Sequence, residues 1–217
     1  MTTKAYKGMA MEGPIARWYA KNARRDAEFK NWVKRVNEAL PAGGAVLEVA
    51  PGPGFLSIEL ARSSKYQVTG LDISKTFVEI AQANARQANV SVDFQLGNAS
   101  DMPFADDTFD FSICTAAFKN FTQPVQAIAE MQRVLKPGGK ALIVDLRRDA
   151  SRADVDRMVK EMGLSWFNAL FTRGAFKLML LKNAYTPNEI RQFVKQTPFR
   201  QCDIHTDTIG MEIWLTK

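Results

Sequence analysis

The 217-residue chain reads as an α/β fold, a doubly wound sheet that turns mixed at its C-terminal edge. Three observations predict this. Short apolar runs alternate with helix-period segments over residues 45–146, and parallel strands need such crossovers. The first run ends in the turn Ala50-Pro51-Gly52-Pro53-Gly54 and passes straight into a helical pattern. Two final runs, 201–205 and 211–215, flank Asp207-Thr208-Ile209-Gly210 and must pair as a hairpin.

The elements follow in order. Residues 14–40 place Ile15, Trp18, Tyr19, Phe29, Trp32, Val33 and Val36 mostly at helical spacings, which predicts one N-terminal helix ended by Pro41 and Gly43-Gly44. A strand over 45–50 leads to a helix over 53–63 carrying Phe55, Leu56, Ile58 and Leu60. The next strand, 67–73, contains Asp72 at its end, and Ser74 caps a helix over 75–88. Strand 92–96 runs into Gly97-Asn98-Ala99, and Asp106-Asp107 turns the chain into strand 109–115. A helix over 124–135 breaks at Pro137-Gly138-Gly139 before strand 140–146. Residues 151–182 read as an inserted helical segment, followed by a helix after Pro187 and the hairpin. The seven strands predict a mixed sheet in one domain over 1–217, with an N-terminal lid helix at 14–40 and a substrate-side insertion at 151–182.

A hydrophobic content of 46% fills a real core at this length. The sequence has no apolar run long enough for a membrane span and no secretory signal. Cys114 and Cys202 are the only cysteines and His205 the only histidine, which excludes a disulfide scaffold and gives no metal site. A reducing, cytoplasmic setting is expected. The net charge of +6 sits in the flanks: residues 1–60 carry nine Lys/Arg against six Asp/Glu, and residues 151–200 nine against four. That balance suits a solvated surface, and also the steering of an anionic partner.

Ligands of open parallel sheets bind beyond the carboxyl ends of the strands, which puts Glu48 to Gly54 at the mouth of a site. Gly52 and Gly54 let a ligand reach the backbone, and the helix amides beyond them suit an anionic group. The dinucleotide fingerprint lacks its third glycine, since Phe55, Leu56 and Ser57 follow Gly54, and no Walker lysine is present. Asp72 ends the second strand, where a carboxylate can hold both hydroxyls of a ribose. A nucleoside without a pyrophosphate fits this pairing.

Four segments in order, VLEVAPGPG (46–54), VTGLDIS (68–74), GNASDMPFADDTFDFSIC (97–114) and RVLKPGGKALIVD (133–145), resemble the class I S-adenosylmethionine-dependent methyltransferases of the small-molecule type. The resemblance implies a Rossmann-like class I methyltransferase fold and S-adenosyl-L-methionine as cofactor, with S-adenosyl-L-homocysteine as product. It also implies site roles. Glu48 with Ala50, Pro51, Gly52 and Gly54 would hold the methionine end, Asp72 the ribose, and Ile73 one adenine face. Asn98 and Ala99 would lie at the adenine edge and Met102 over its other face, with Thr115 at the end of the fourth strand and Tyr19 on the lid helix. Two positions depart from the pattern: Ala50 replaces the usual first glycine and Asn98 the common aspartate, whose accepting oxygen its amide can supply.

The acceptor side is less determined. In the segment TAAFKNF (115–121), Phe118 and Phe121 are candidates to line a pocket, Asn120 to hold a donor group, and Lys119 to meet an anionic acceptor or solvent. His205 is a candidate general base, or a structural or exposed residue of the hairpin. Trp166, Phe167, Phe171, Phe176 and Met179 would form an apolar acceptor pocket, a core or a dimer face, with Arg147, Arg148 or Arg173 near an acidic group. The expected reaction is direct in-line methyl transfer to an oxygen or nitrogen of a small aromatic or hydrophobic acceptor. An RNA or protein methyltransferase, or a noncatalytic nucleoside-binding relative, is the alternative. No recognition module points to nucleic acid. Peripheral membrane contact stays open, as do monomer and homodimer.

Overall fold

The computed structural model describes residues 6–7, 11–22, 26–161 and 181–217. Seven strands form one sheet: β1 (Gly44–Val49), β2 (Tyr66–Asp72), β3 (Asp93–Leu96), β4 (Phe109–Thr115), β5 (Leu135–Leu146), β6 (Gln201–Thr206) and β7 (Gly210–Thr216). Their order is β3-β2-β1-β4-β5-β7-β6. The first five run parallel, and β7 lies antiparallel between β5 and β6. The mixed sheet with its terminal hairpin is therefore present as the sequence predicts.

Helices cover both faces, so the central strands read as near-continuous apolar runs. Leu47, Val49 and Ile143 point to one side, where Ala127, Ile128 and Met131 of α5 (Pro124–Val134) complete a core. Val46, Val68, Phe111 and Leu142 face the other side and meet Val36, Leu56 and Leu60. These come from α2 (Asp26–Ala39) and α3 (Phe55–Ala61). Phe94 of β3 packs with Ala81 and Ala85 of α4 (Lys75–Gln87). Strand β6 forms an outer edge, and its exposed Gln201, Asp203 and His205 discourage further pairing.

Two expectations change. The N-terminal segment holds two helices, α1 (Gly13–Asn22) and α2. In α2, Phe29, Trp32 and Val33 pack on the sheet core, whereas Ile15, Trp18 and Tyr19 of α1 remain exposed. Strand β5 begins at Leu135, five residues earlier than expected. Phe109 pairs with Leu135 and Phe111 with Lys140, so Pro137-Gly138-Gly139 is accommodated as extra chain within the strand instead of ending it. The inserted segment starts with α6 (Arg152–Glu161), whose Val155 and Val159 cluster with Leu181 of α7 (Leu181–Asn183). Trp166, Phe167, Phe171, Arg173, Phe176 and Met179 lie outside the described residues. The last helix, α8 (Pro187–Val194), opens with a capping box between Thr186 and Glu189.

Candidate cofactor and acceptor site

Strand order reverses between β1 and β4, and a crevice opens at their carboxyl ends. The chain leaves both strands in the same unusual way. Ala50 follows β1 with φ 58°, and Ala116 follows β4 with φ 57°. Each still donates its N–H into the sheet, to Leu71 O and Val144 O respectively at 2.8 Å. Left-handed alanines at two adjacent strand ends mark a locally strained rim.

The two glycines of the turn do different work. Gly54 has φ 78°, and a Cβ there would lie 2.6 Å from Phe94 Cζ and 2.9 Å from Ala81 Cβ, so packing forbids a side chain. Gly52 has φ 55°, yet a Cβ would meet nothing within 4 Å. Its backbone faces open space, where a ligand can approach.

Two buried acids stand beside that space. Glu48 is 2% exposed, and Ser57 Oγ donates to its Oε2. Burial pushes the Glu48 carboxyl up to about 7, and the neighbouring Asp72 carboxylate adds to the rise. Asp72 accepts from Gly52 N at 2.9 Å on Oδ2 and from Ser74 N at 2.8 Å on Oδ1. Burial nevertheless raises it to about 6. Each Asp72 oxygen keeps a second lone pair for another donor.

The chain ahead of α1 is moored over this end of the sheet. Ser74 Oγ donates to Met11 O at 2.7 Å, and Glu12 accepts from Lys75 N and Thr76 N at the start of α4. Tyr19 meets Phe77 edge-on at 5.9 Å, which keeps it near the mouth. Tyr6 pairs with Phe121, and Lys7 N donates to Asn120 O at 2.7 Å. Burial pushes the Tyr6 phenol up to about 12, with Asp72, Tyr19 and Asp145 opposing its ionisation. The Tyr6 phenol therefore lies within electrostatic reach of the acids at the ends of β2 and β5. No sequence pattern singled it out.

Ile73 is 43% exposed next to Asp72. Asn98 Oδ1 accepts from Ser100 N at 3.0 Å and so turns its own loop. Ala99 packs on the core, and Met102 is buried within it. Glu130 and Arg133 of α5 hold Met102 by its backbone: its N–H donates to Glu130 Oε2 at 2.7 Å, and its carbonyl accepts from Arg133 Nη2 at 3.0 Å. Thr115 closes β4, half-buried opposite Val144.

On the acceptor side the structure corrects several expectations. Lys119 reaches neither solvent nor an open pocket. It is 5% exposed, donating from Nζ to Asp145 Oδ1 at 2.8 Å and to Ala116 O, and from its backbone to Asp145 Oδ2. Phe118 and Phe121 are buried with Tyr185 and Phe193 in an aromatic cluster instead of lining a pocket. Asn120 offers its backbone carbonyl to Lys7. Arg148 is paired with Glu189. Arg147 lies near Asp149 and Asp154, with its Nε buried and without a hydrogen-bond partner among the described residues.

His205 lies in β6, level with Val144 through Glu212 but on the edge strand. It shares a shallow hollow with Arg35, Lys140 and Trp214 on the α2 side of the sheet. Four strand spacings separate β6 from β1, roughly 19 Å. The structure does not bring His205 to the turn. Among the described residues no cluster of His, Cys, Asp or Glu is arranged to hold a metal.

Residues 47–143 match the family model described as a methyltransferase domain. The demethylmenaquinone methyltransferase of Deinococcus radiodurans is 31% identical over 162 residues, covering 71% of this chain and 67% of the relative. The chain belongs to the class I S-adenosylmethionine-dependent methyltransferases. The ubiquinone/menaquinone biosynthesis C-methyltransferase of Geotalea daltonii is 33% identical over 52% of this chain; the match spans 49% of that relative, about half its length. A SAM-dependent methyltransferase structure from Aquifex aeolicus superposes with a TM-score of 0.70 at 16% identity, covering 92% of this chain and 97% of that one. The cofactor of this methyltransferase is S-adenosyl-L-methionine. The donor set fits it: a glycine backbone faces open space, and beside it stand two carboxyl groups that burial raises above the ordinary range.

Proposed function

We propose that this methyltransferase places a methyl group on a ring carbon of a small hydroxylated aromatic acceptor of the reduced-quinone kind. The observation that carries the transferase half is the juxtaposition of Glu48 and Asp72 beside the open backbone of Gly52. Asp72 takes the ribose hydroxyls on its free lone pairs, while the Ser57-anchored Glu48 and the turn face the methionine end. Ile73 offers an apolar adenine wall, and the loop of Asn98, Ala99 and Met102 lies at its edge. The bound cofactor supplies an electrophilic methyl group on a sulfonium, whose leaving pair stays on sulfur.

The chain's own part is to orient and to exclude water. Tyr6 and Tyr19 cover the mouth, and the Lys119–Asp145 pair fixes the Ala116 turn beneath the acceptor side. Carbon is favoured over the oxygen or nitrogen first expected, because a curated relative is named a C-methyltransferase of quinone biosynthesis. The ring hydroxyl supplies the electron density, the ring carbon gains the methyl, and its proton leaves to solvent.

The test is to incubate the protein with methyl-deuterated cofactor and 1,4-dihydroxynaphthalene under reducing conditions, beside Asp72→Ala. Nuclear magnetic resonance should show the label on a ring carbon, and none in the variant. A label on oxygen would replace the carbon assignment.

A further inference from the structure

Helix α1 is turned inside out. Ala16 is its buried residue, whereas Ile15, Trp18 and Tyr19 are 40%, 67% and 40% exposed. Spacings of three and four put these on one stripe. Tyr19 meets Phe77, but nothing in the folding of the described chain explains the exposed Trp18 with Ile15 beside it. The polar residues beside the stripe have one sign: Arg17 and Lys21 are exposed, and residues 13–22 contain no acid. The nearest acid, Glu12, is committed to the first amides of α4. Residues 1–40 carry nine Lys/Arg against four Asp/Glu.

We infer that α1 docks the protein on the surface of an anionic lipid bilayer, with Ile15 and Trp18 entering the interface and Arg17 and Lys21 meeting the headgroups. A short helix with an aromatic-aliphatic stripe and flanking cations has the chemistry of an interfacial anchor. A second copy fits the stripe less well. A twofold contact would press α1 on α1, setting Arg17 and Lys21 against their own kind. The mooring also gives the docking a consequence. Met11 and Glu12 tie α1 to residues 74–76, immediately past Asp72. Docking through α1 therefore brings the cofactor mouth down to the bilayer surface, where a ring on an apolar tail would be presented. The inference stands on α1 alone and holds whichever atom is methylated.

The test uses the full chain without cofactor or acceptor. Flotation is measured with phosphatidylcholine vesicles and with vesicles one quarter phosphatidylglycerol. Binding should appear with the anionic vesicles and weaken as salt shortens the screening length. Trp18→Ala should weaken it about tenfold, and Arg17→Glu with Lys21→Glu at least about fivefold for each cation removed. All these side chains are exposed, so thermal unfolding should be unchanged and folding does not confound the result. Absence of binding, or equal binding by Trp18→Ala, overturns the inference. A concentration-dependent dimer that Trp18→Ala dissolves, with no vesicle binding, assigns the stripe to a second copy instead.

Discussion

Ala50 and Ala116 leave neighbouring parallel strands with nearly the same left-handed backbone, φ 58° and 57°, on either side of the switch between β1 and β4. An L-residue there costs roughly 1–2 kcal/mol, and glycine removes that cost while adding about 0.5–1 kcal/mol of unfolded-chain entropy. Ala50→Gly and Ala116→Gly should each stabilise the protein by about 0.5–1 kcal/mol. Urea unfolding checks this: the midpoint should rise with an unchanged slope. A lower midpoint would mean that the methyl groups pack in a way that outweighs the strain.

The Glu48 carboxyl gives stability an unusual pH slope. Its folded value of about 7 lies above the ordinary 4.5, so the folded chain holds this proton more tightly than the unfolded chain. Stability from this group is complete below about 4.5 and is lost as pH rises toward 7. Asp72 acts in the same direction between 3.8 and about 6. Glu48→Gln, which can still accept from Ser57, should flatten the melting temperature between about pH 5 and 7 relative to the parent. Cofactor binding brings the charged methionine end to Glu48 and should release protons at about pH 6.5. Calorimetry in two buffers of different ionisation enthalpy would measure that release, and buffer-independent heats would contradict it.

Lys119 and Asp145 form a pair with side chains 6% and 2% exposed. Removing one partner strands the other in the core, so Lys119→Met should destabilise by about 3–5 kcal/mol. Replacing Asp145 with Asn in the same chain should recover much of that loss, because the stranded charge is gone. A double-mutant cycle by urea unfolding measures the coupling. Strict additivity would show that the two charges do not depend on each other.

Much of the architecture was legible because each strand is bounded by chemistry. Asp72-Ile73-Ser74, Gly97-Asn98 and Pro41 through Gly44 punctuate apolar runs that helices must cover on both sides. The acid ending β2 and the glycines after β1 stood out for the same reason, and the fold brings Gly52 N onto Asp72. The acceptor side failed where burial depends on distant partners. The sequence TAAFKNF looks like an open loop, yet Asp145, thirty residues from Thr115, pulls Lys119 inward, and Tyr185 takes Phe118 into the core. Asp145 was itself visible as an acid near a strand end, the signal that drew attention to Asp72. Tyr6 carried no such signal, since only tertiary pairing with Phe121 sets its place in the fold.

Arg133 organises the loop that would face adenine. Its guanidinium donates to both oxygens of Glu130 at 2.8 Å, to Phe104 O at 2.8 Å, to Met102 O at 3.0 Å and to Asp106 Oδ1 at 2.7 Å. Glu130, held in this fork, accepts the Met102 N–H. A lysine keeps the charge but cannot reproduce a planar fork of five donors. Arg133→Lys should therefore lower unfolding stability by about 1–2 kcal/mol and weaken binding of S-adenosylhomocysteine about tenfold. The decisive comparison is adenosine alone. If the clamp shapes the adenine side, adenosine loses the same factor as the full product, because the methionine end contributes nothing to the difference. Unchanged adenosine affinity in a destabilised variant would reduce the clamp to a fold-holding device and move the adenine wall away from Met102.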